Sequence, residues 1–266
     1  MGTIEGNLGK LLGEDEPAPV GIHNAGGHSP FLLVADHAGM RVPRALGTLG
    51  VSGTERARHI GWDIGIAGVS RRLADALDAE LIQQNYSRLV IDCNRPPGSE
   101  SSMPVISELT PIPGNVGLSE ADKAARIAEI FRPYHDAIEA ELERRKQGGL
   151  AVALISMHSF TPSFKGAARP WHAGVLYNRD TRVAHILRDL LQAETGLTVG
   201  DNEPYSVTDH SDYTIPVHGE RRGLHHIAIE IRQDLIAEEP GQIEWAERLA
   251  RLLPLAYGEV LAREAV

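Results

Sequence analysis

The chain is short of cysteine, aromatic residues, net positive charge and long apolar runs, and each shortage excludes something. Cys93 is the one cysteine among 266 residues. No internal disulfide can form, and no cysteine-built zinc ribbon is available, which fits a reducing cytoplasm. Aromatic residues make up 5% of the chain. The longest apolar stretches, such as Phe31–Ala35 and Leu150–Ile155, fall far short of the ~20 residues a membrane span needs, and no basic-then-apolar segment opens the chain as a secretory signal would. Lysine and arginine number 26 against 36 acidic residues, a formal charge of −10, with no lysine-rich run. General binding to nucleic acid or to anionic membrane requires a cationic face and is disfavoured. The composition therefore predicts a soluble, cytoplasmic protein, and leaves the oligomeric state open.

What is present is an ordinary globular mix, 42% hydrophobic and 23% charged. Residues 1–30 are rich in Gly, Pro and acids and show no sustained period; they read as an N-terminal arm. From residue 31 to 266 the pattern predicts one domain. Short continuous apolar runs, the mark of strands buried on both faces, occur at Phe31–Ala35, Leu81–Gln83, Leu89–Asp92, Val152–Met157, Ala173–Tyr177, Leu197–Val199 and Ile227–Ile231. Helical spacing appears over Ile64–Asp78, from a Ser119 cap to about Lys146 (ended by Gly148-Gly149), and over Thr181–Thr195 and Glu244–Ala262. Strands alternating with helices predict an α/β fold with a mostly parallel or mixed central sheet covered on both faces.

Unusual polar residues stand where these strand patterns end: Asp36-His37, Asn94-Arg95, His158, and Glu230 between Ile229 and Ile231. Open α/β sheets bind ligands beyond the carboxyl ends of their strands, so parallel neighbours would bring these groups to one crevice. Two histidines and a carboxylate make a usual catalytic zinc shell with one position left for water, and a second carboxylate can act as general base. An arginine fork suits a substrate carboxylate. His37, His158, Glu230, Asn94 and Arg95 together have the parts of a metal-dependent amide hydrolase.

In sequence order, Asp36-His37-Ala38-Gly39 with Val42-Pro43, Gly61-Trp62-Asp63, Ser87–Asp92 with Asn94-Arg95-Pro96, Pro133-Tyr134-His135, Met157–Phe160, Asn202–Tyr205 and Ile229–Ile231 resemble the blocks of the N-formylglutamate amidohydrolases. The resemblance spans about residues 31 to 236. It implies a zinc carboxypeptidase-like fold, zinc or another divalent metal on His37 and His158, a substrate grip by Asn94 and Arg95, and Glu230 as base. The carboxypeptidase pattern has a glutamate three residues after the first histidine. Here that position is Met40, so the third ligand must come from elsewhere, with Asp63 the first candidate and Asp36 the second. Ala38 stands where the family commonly has serine.

Plainer readings stand beside these. Asp63 could cap the helix beginning at Ile64. Glu230 could pair with Arg221, Arg222 or Arg232. Arg88 could pair with Asp92 or contact substrate. Tyr205 and His218 lie in the long stretch Asp201–Gly223, which reads as a lid carrying substrate contacts. His225-His226 and His135 read as packing residues. The expected activity is removal of a small acyl group, most simply formyl, from an amino acid such as glutamate. The alternatives are a carboxypeptidase-like or N-acetyl-amino-acid hydrolase using the same centre, and a metal-free carboxylate-binding protein.

Overall fold

A computed structural model describes residues 10–265. Among them, seven strands form one mixed sheet: β1 (Val20–His23), β2 (Phe31–Ala35), β3 (Glu80–Gln84), β4 (Ala153–Phe160), β5 (Ala173–Leu176), β6 (Val199–Asp201) and β7 (His225–Arg232). Their spatial order is β1-β3-β2-β4-β7-β5-β6. The central pairs β3/β2, β2/β4 and β4/β7 are parallel, and β1 and β5 run antiparallel to β3 and β7. The predicted α/β architecture is the one observed.

The continuous apolar runs form central strands because both of their faces are covered. Leu33, Ala35, Ile155, Met157, Ile227 and Ile229 point to a core closed by α1 (Ile66–Leu77), α4 (Arg182–Gln192) and α5 (Glu239–Glu264). Leu32, Val34, Leu154 and Ala228 point to the opposite core. That core is covered by α2 (Glu120–Arg126) and α3 (Arg132–Gln147), which are joined through a π turn at Ile127–Phe131. Burial of both faces removes the period-two signal, as expected for parallel strands.

Several expectations are corrected. Leu89–Asp92 is not a strand but a buried chain of turns. Two of its carbonyls are satisfied by side chains, Leu89 O by Asn115 Nδ2 at 2.9 Å and Val90 O by Arg126 Nη1 at 2.9 Å. Leu197–Val199 is displaced, the strand being Val199–Asp201. The long helix does begin at the Ser119 capping box with Asp122, but it widens into the π turn just before Pro133. Proline has no N–H and its ring crowds the carbonyl four residues earlier, which disfavours a regular α turn there. The first helix starts at Ile66 rather than Ile64. Its N-cap is Gly65 at φ +82°, where a Cβ would meet the Ile236 carbonyl at 2.0 Å.

The segment read as an arm is tied down over its described part. Val20–His23 is an edge strand of the sheet, and Leu11 and Leu12 donate their backbone N–H groups to Glu129 at 2.7 and 2.9 Å. Residues 1–9 of that arm lie outside the described residues.

Candidate metal centre and active site

The parallel register sets the site. β4 and β7 pair His158 directly with Glu230, so the two side chains share a face of the sheet. β2 and β4 pair Val34 with Ser156, and the next position on the same face sets Asp36 beside His158. His37 follows at the turn, and its backbone carbonyl accepts from Asp63 N at 2.9 Å, which draws the Gly61–Asp63 loop across the strand ends.

His37, Asp63 and His158 are all buried, and one ligating atom from each lies within 4.8 Å of the others. Asp63 Oδ2 is 3.0 Å from His158 Nδ1 and 3.5 Å from His37 Nδ1. Both imidazoles are held from behind. Asp92 Oδ1 is 2.7 Å from His37 Nε2. Asp36 Oδ2 is 3.3 Å from His158 Nε2, and Ser156 Oγ is 3.0 Å from the same nitrogen. An imidazole whose Nε2–H is given to a carboxylate turns a lone pair outward from Nδ1, and carboxylates in this position typically orient metal-ligating histidines. His37 Nδ1 is buried and has no hydrogen-bond partner. Asp36, Asp63 and Asp92 all lie buried here, with Arg88 the adjacent guanidinium. This donor set, its orphaned nitrogen and its surplus of buried negative charge fit a divalent cation.

The electrostatics follow from this crowding. Burial opposes charge on His158, but Asp36 and Asp63 outweigh it and hold the imidazole well above its ordinary value. His37 is also raised, burial and Arg88 opposing, Asp92 and Asp63 prevailing. Burial likewise opposes ionisation of Asp63 and Asp92, and their cationic neighbours reverse it, keeping both carboxyls low. Glu230 behaves differently. Burial and then the nearby Asp63 charge push it to about 7 against the pull of His158, and its Oε2 has no partner. Two of the three arginines considered for an ion pair are engaged elsewhere: Arg222 holds Glu139 and Glu143, and Arg232 holds Asp234.

One cavity of about 460 Å³ is lined by His37, Asp63, His158, Glu230, Arg88, Asn94, Arg95 and Tyr205, among others. Arg88 binds Asp92 Oδ2 at 2.7 Å and reaches Asp63 at 3.5 Å. Arg95 is anchored through Nη1 to the Ser211 carbonyl at 2.5 Å and to Asp212 at 3.3 Å. The Asn94 amide is engaged on both sides: its oxygen accepts from the N–H groups of Tyr213 and Thr214, and its nitrogen donates to Asp212. Asp63 is not a helix cap; its carboxylate faces the two histidines. Asp36 sits behind His158, on the ring nitrogen remote from Asp63, and accepts from Tyr134 Oη at 2.8 Å and Thr214 Oγ1 at 2.7 Å. Met40 is 43% exposed and lies outside the cluster.

His218 is not brought to this cavity. It stacks on His135, Nε2 to Nδ1 at 3.0 Å, beside a second cavity of about 440 Å³. From sequence alone Asp92 has no role beyond pairing with Arg88, and Tyr134 and Thr214 have none. The block Pro133-Tyr134-His135 was the available signal for Tyr134.

An open mixed sheet that carries two imidazoles, a shared aspartate and an unpaired glutamate to the ends of its central strands defines a hydrolase organised around a candidate metal site. The family profile of N-formylglutamate amidohydrolase matches residues 29–237, and the chain belongs to the N-formylglutamate amidohydrolase family, hydrolases acting on amide bonds. It is similar to an N-formylglutamate deformylase of Pseudomonas putida, at 26% identity over 88% of this chain and 92% of that protein. A solved gene product of Agrobacterium tumefaciens is similar at 38% identity and a TM-score of 0.91, over 94% of this chain and 99% of that one. The N-formylglutamate amidohydrolase of Ralstonia eutropha JMP134 shares the fold at 21% identity and a TM-score of 0.64, over 94% of this chain and 100% of that one.

Proposed function

We propose that this chain hydrolyses an N-acyl amino acid with a small acyl group, N-formylglutamate being the leading substrate, at a divalent metal held by His37, Asp63 and His158. The observation that carries this is the placement of Glu230 beside His158 on adjacent strands, its carboxylate unpaired and lining the cavity next to the histidine–aspartate cluster. Zinc there would supply Lewis acidity and make a water more acidic. Asp36 and Asp92 orient the two imidazoles. Arg88 stands at the cavity wall where it can meet the acyl oxygen. Arg95, anchored through Nη1, turns its remaining donors to the amino-acid carboxylate, and Asn94 holds the Ser211–Thr214 segment that anchors it. Glu230 takes the proton from the attacking water and passes it to the amide nitrogen as the C–N bond breaks, releasing formate and the free amino acid.

The test is to incubate zinc-supplied protein with N-formyl-, N-acetyl- and longer N-acyl-glutamate and follow release of the acid and of glutamate. Formate release that disappears in Glu230→Gln is expected. Zinc-loaded protein that hydrolyses no N-acyl amino acid refutes the proposal, and preference for a longer acyl chain transfers the site to the N-acetyl or peptidase class.

A further inference from the structure

Besides Arg88 and Arg95 at the cavity wall, both already paired with acids, a third arginine packs against three of the cavity's aromatic residues in a different state. Arg169 follows the small hairpin formed by Ser163–Phe164 and Ala167–Ala168. Its guanidinium carbon lies 4.7 Å over the Phe164 ring, 4.7 Å over Tyr205 and 6.0 Å from Phe160. All three of those aromatic residues line the cavity. Nη1 donates to Tyr205 Oη at 2.8 Å. Among the described residues, no carboxylate lies within ion-pair distance of Arg169, whereas Arg88 and Arg95 on the cavity wall each have one.

A guanidinium stacked on aromatic faces is fixed in orientation, and its in-plane N–H groups remain available for a planar two-oxygen acceptor. The cavity needs such a group if its ligand carries two carboxylates. Its lining acids are Asp63, Asp92, Glu108, Asp212 and Glu230; its arginines Arg88 and Arg95 are already paired with acids, and its histidines His37 and His158 face the Asp36, Asp63 and Asp92 carboxylates. A second negative charge entering there meets repulsion unless an unneutralised cation receives it. The Tyr205 phenol links Arg169 to the centre: burial and the Glu230 charge push it up, and Arg169 and Arg88 pull it down, so all three charges act on one ring.

We infer that Arg169, braced by Tyr205 and Phe164, reads the side-chain carboxylate of the substrate and makes the site selective for N-acyl derivatives of acidic amino acids. The inference rests on the amidohydrolase reading and adds a specificity residue to it.

The experiment compares N-formyl-L-glutamate with its neutral isostere N-formyl-L-glutamine in the zinc-supplied wild type, Arg169→Gln and Arg169→Lys. Charged hydrogen bonds of this kind correspond to roughly 10- to 100-fold. Arg169→Gln is expected to lose that factor in kcat/KM on the glutamate derivative, chiefly through KM, and to change the glutamine derivative by no more than about threefold. Arg169→Lys, which keeps the charge without the fork, recovers part of the loss. Equal losses on both substrates, or a wild type indifferent to the two, overturns the inference. If the wild type hydrolyses neither, the functional reading fails, and calorimetric binding of the two compounds decides this point: a wild-type preference for the acid that Arg169→Gln abolishes upholds it, and no preference overturns it.

Discussion

Replacing Glu230 by glutamine removes a charge and leaves the shape, and two consequences of opposite sign follow. Activity is lost, because the amide cannot accept a proton; removal of a general base typically lowers rates by roughly 10²- to 10⁴-fold. Stability of the metal-stripped protein rises, because the native fold holds this carboxyl at about 7 against an ordinary 4.5. That difference corresponds to about 3 kcal/mol. The sign is that of a raised acid: the folded state is favoured while the group is protonated, and this advantage disappears as pH rises from 4.5 through about 7. At pH 8 the wild type therefore carries the full cost of an ionised buried carboxylate, and at pH 4 it carries none.

Glu230→Gln is expected to melt about 5 °C above the wild type at pH 8, from ~2.1 cal/mol/K per residue over a chain of this length, and level with it at pH 4. The Glu230 side chain lines the cavity, so water can reach the new amide. A divalent cation on the neighbouring cluster favours the ionised carboxylate, so zinc narrows the difference at pH 8. For the same reason the acid limb of kcat/KM in the wild type falls at or below about 7, the value the metal-free site imposes. Thermal denaturation at the two pH values, with chelator and with zinc, checks the whole set. A variant no more stable than the wild type at pH 8, or one that keeps its activity, refutes the assignment of Glu230 as a strained, unpaired base.

Two further outcomes follow from the supporting residues. Asp92→Asn removes the negative charge behind His37 Nε2 and one partner of Arg88; zinc affinity, measured by chelator competition, is expected to fall roughly 10- to 100-fold with the fold intact, and unchanged affinity would discount Asp92 as the orienting group. Arg126→Met removes a buried guanidinium that donates to Val90 O, Asn115 Oδ1 and Gly114 O; denaturant unfolding should show a loss of about 2–4 kcal/mol, and a change under about 0.5 kcal/mol would show that the Leu89–Asp92 turns hold themselves.

The residues that could be read from sequence are those whose direction a regular ladder determines. Glu230 lies between Ile229 and Ile231, and His158 ends an apolar strand. Two parallel neighbours are enough to bring such positions together, as the His158–Glu230 register does. Asp63 remained ambiguous because an aspartate before a helix serves equally as cap or ligand. What decides is the start of that helix at Ile66, and the Gly65 turn that delays it is packed against the Ile236 carbonyl, far along the chain. Leu89–Asp92 imitates a strand because a buried loop also needs apolar side chains; the difference lies in what satisfies its carbonyls, and for Leu89 and Val90 that is Asn115 and Arg126.

Asp36 shows the same limit most sharply. Local alternation leaves it and His37 as neighbours on opposite faces at a strand end, and either could reach a cation. Its carboxylate instead receives hydroxyls from Tyr134 and Thr214, 98 and 178 residues away, and stands behind His158. An acid whose lone pairs are taken up by two hydroxyls and an imidazole has little left for a metal, and its negative charge acts through the ring it touches. A candidate ligand such as Asp63 and a carboxylate behind an imidazole such as Asp36 are the same residue type, and only partners remote in sequence separate the two placements.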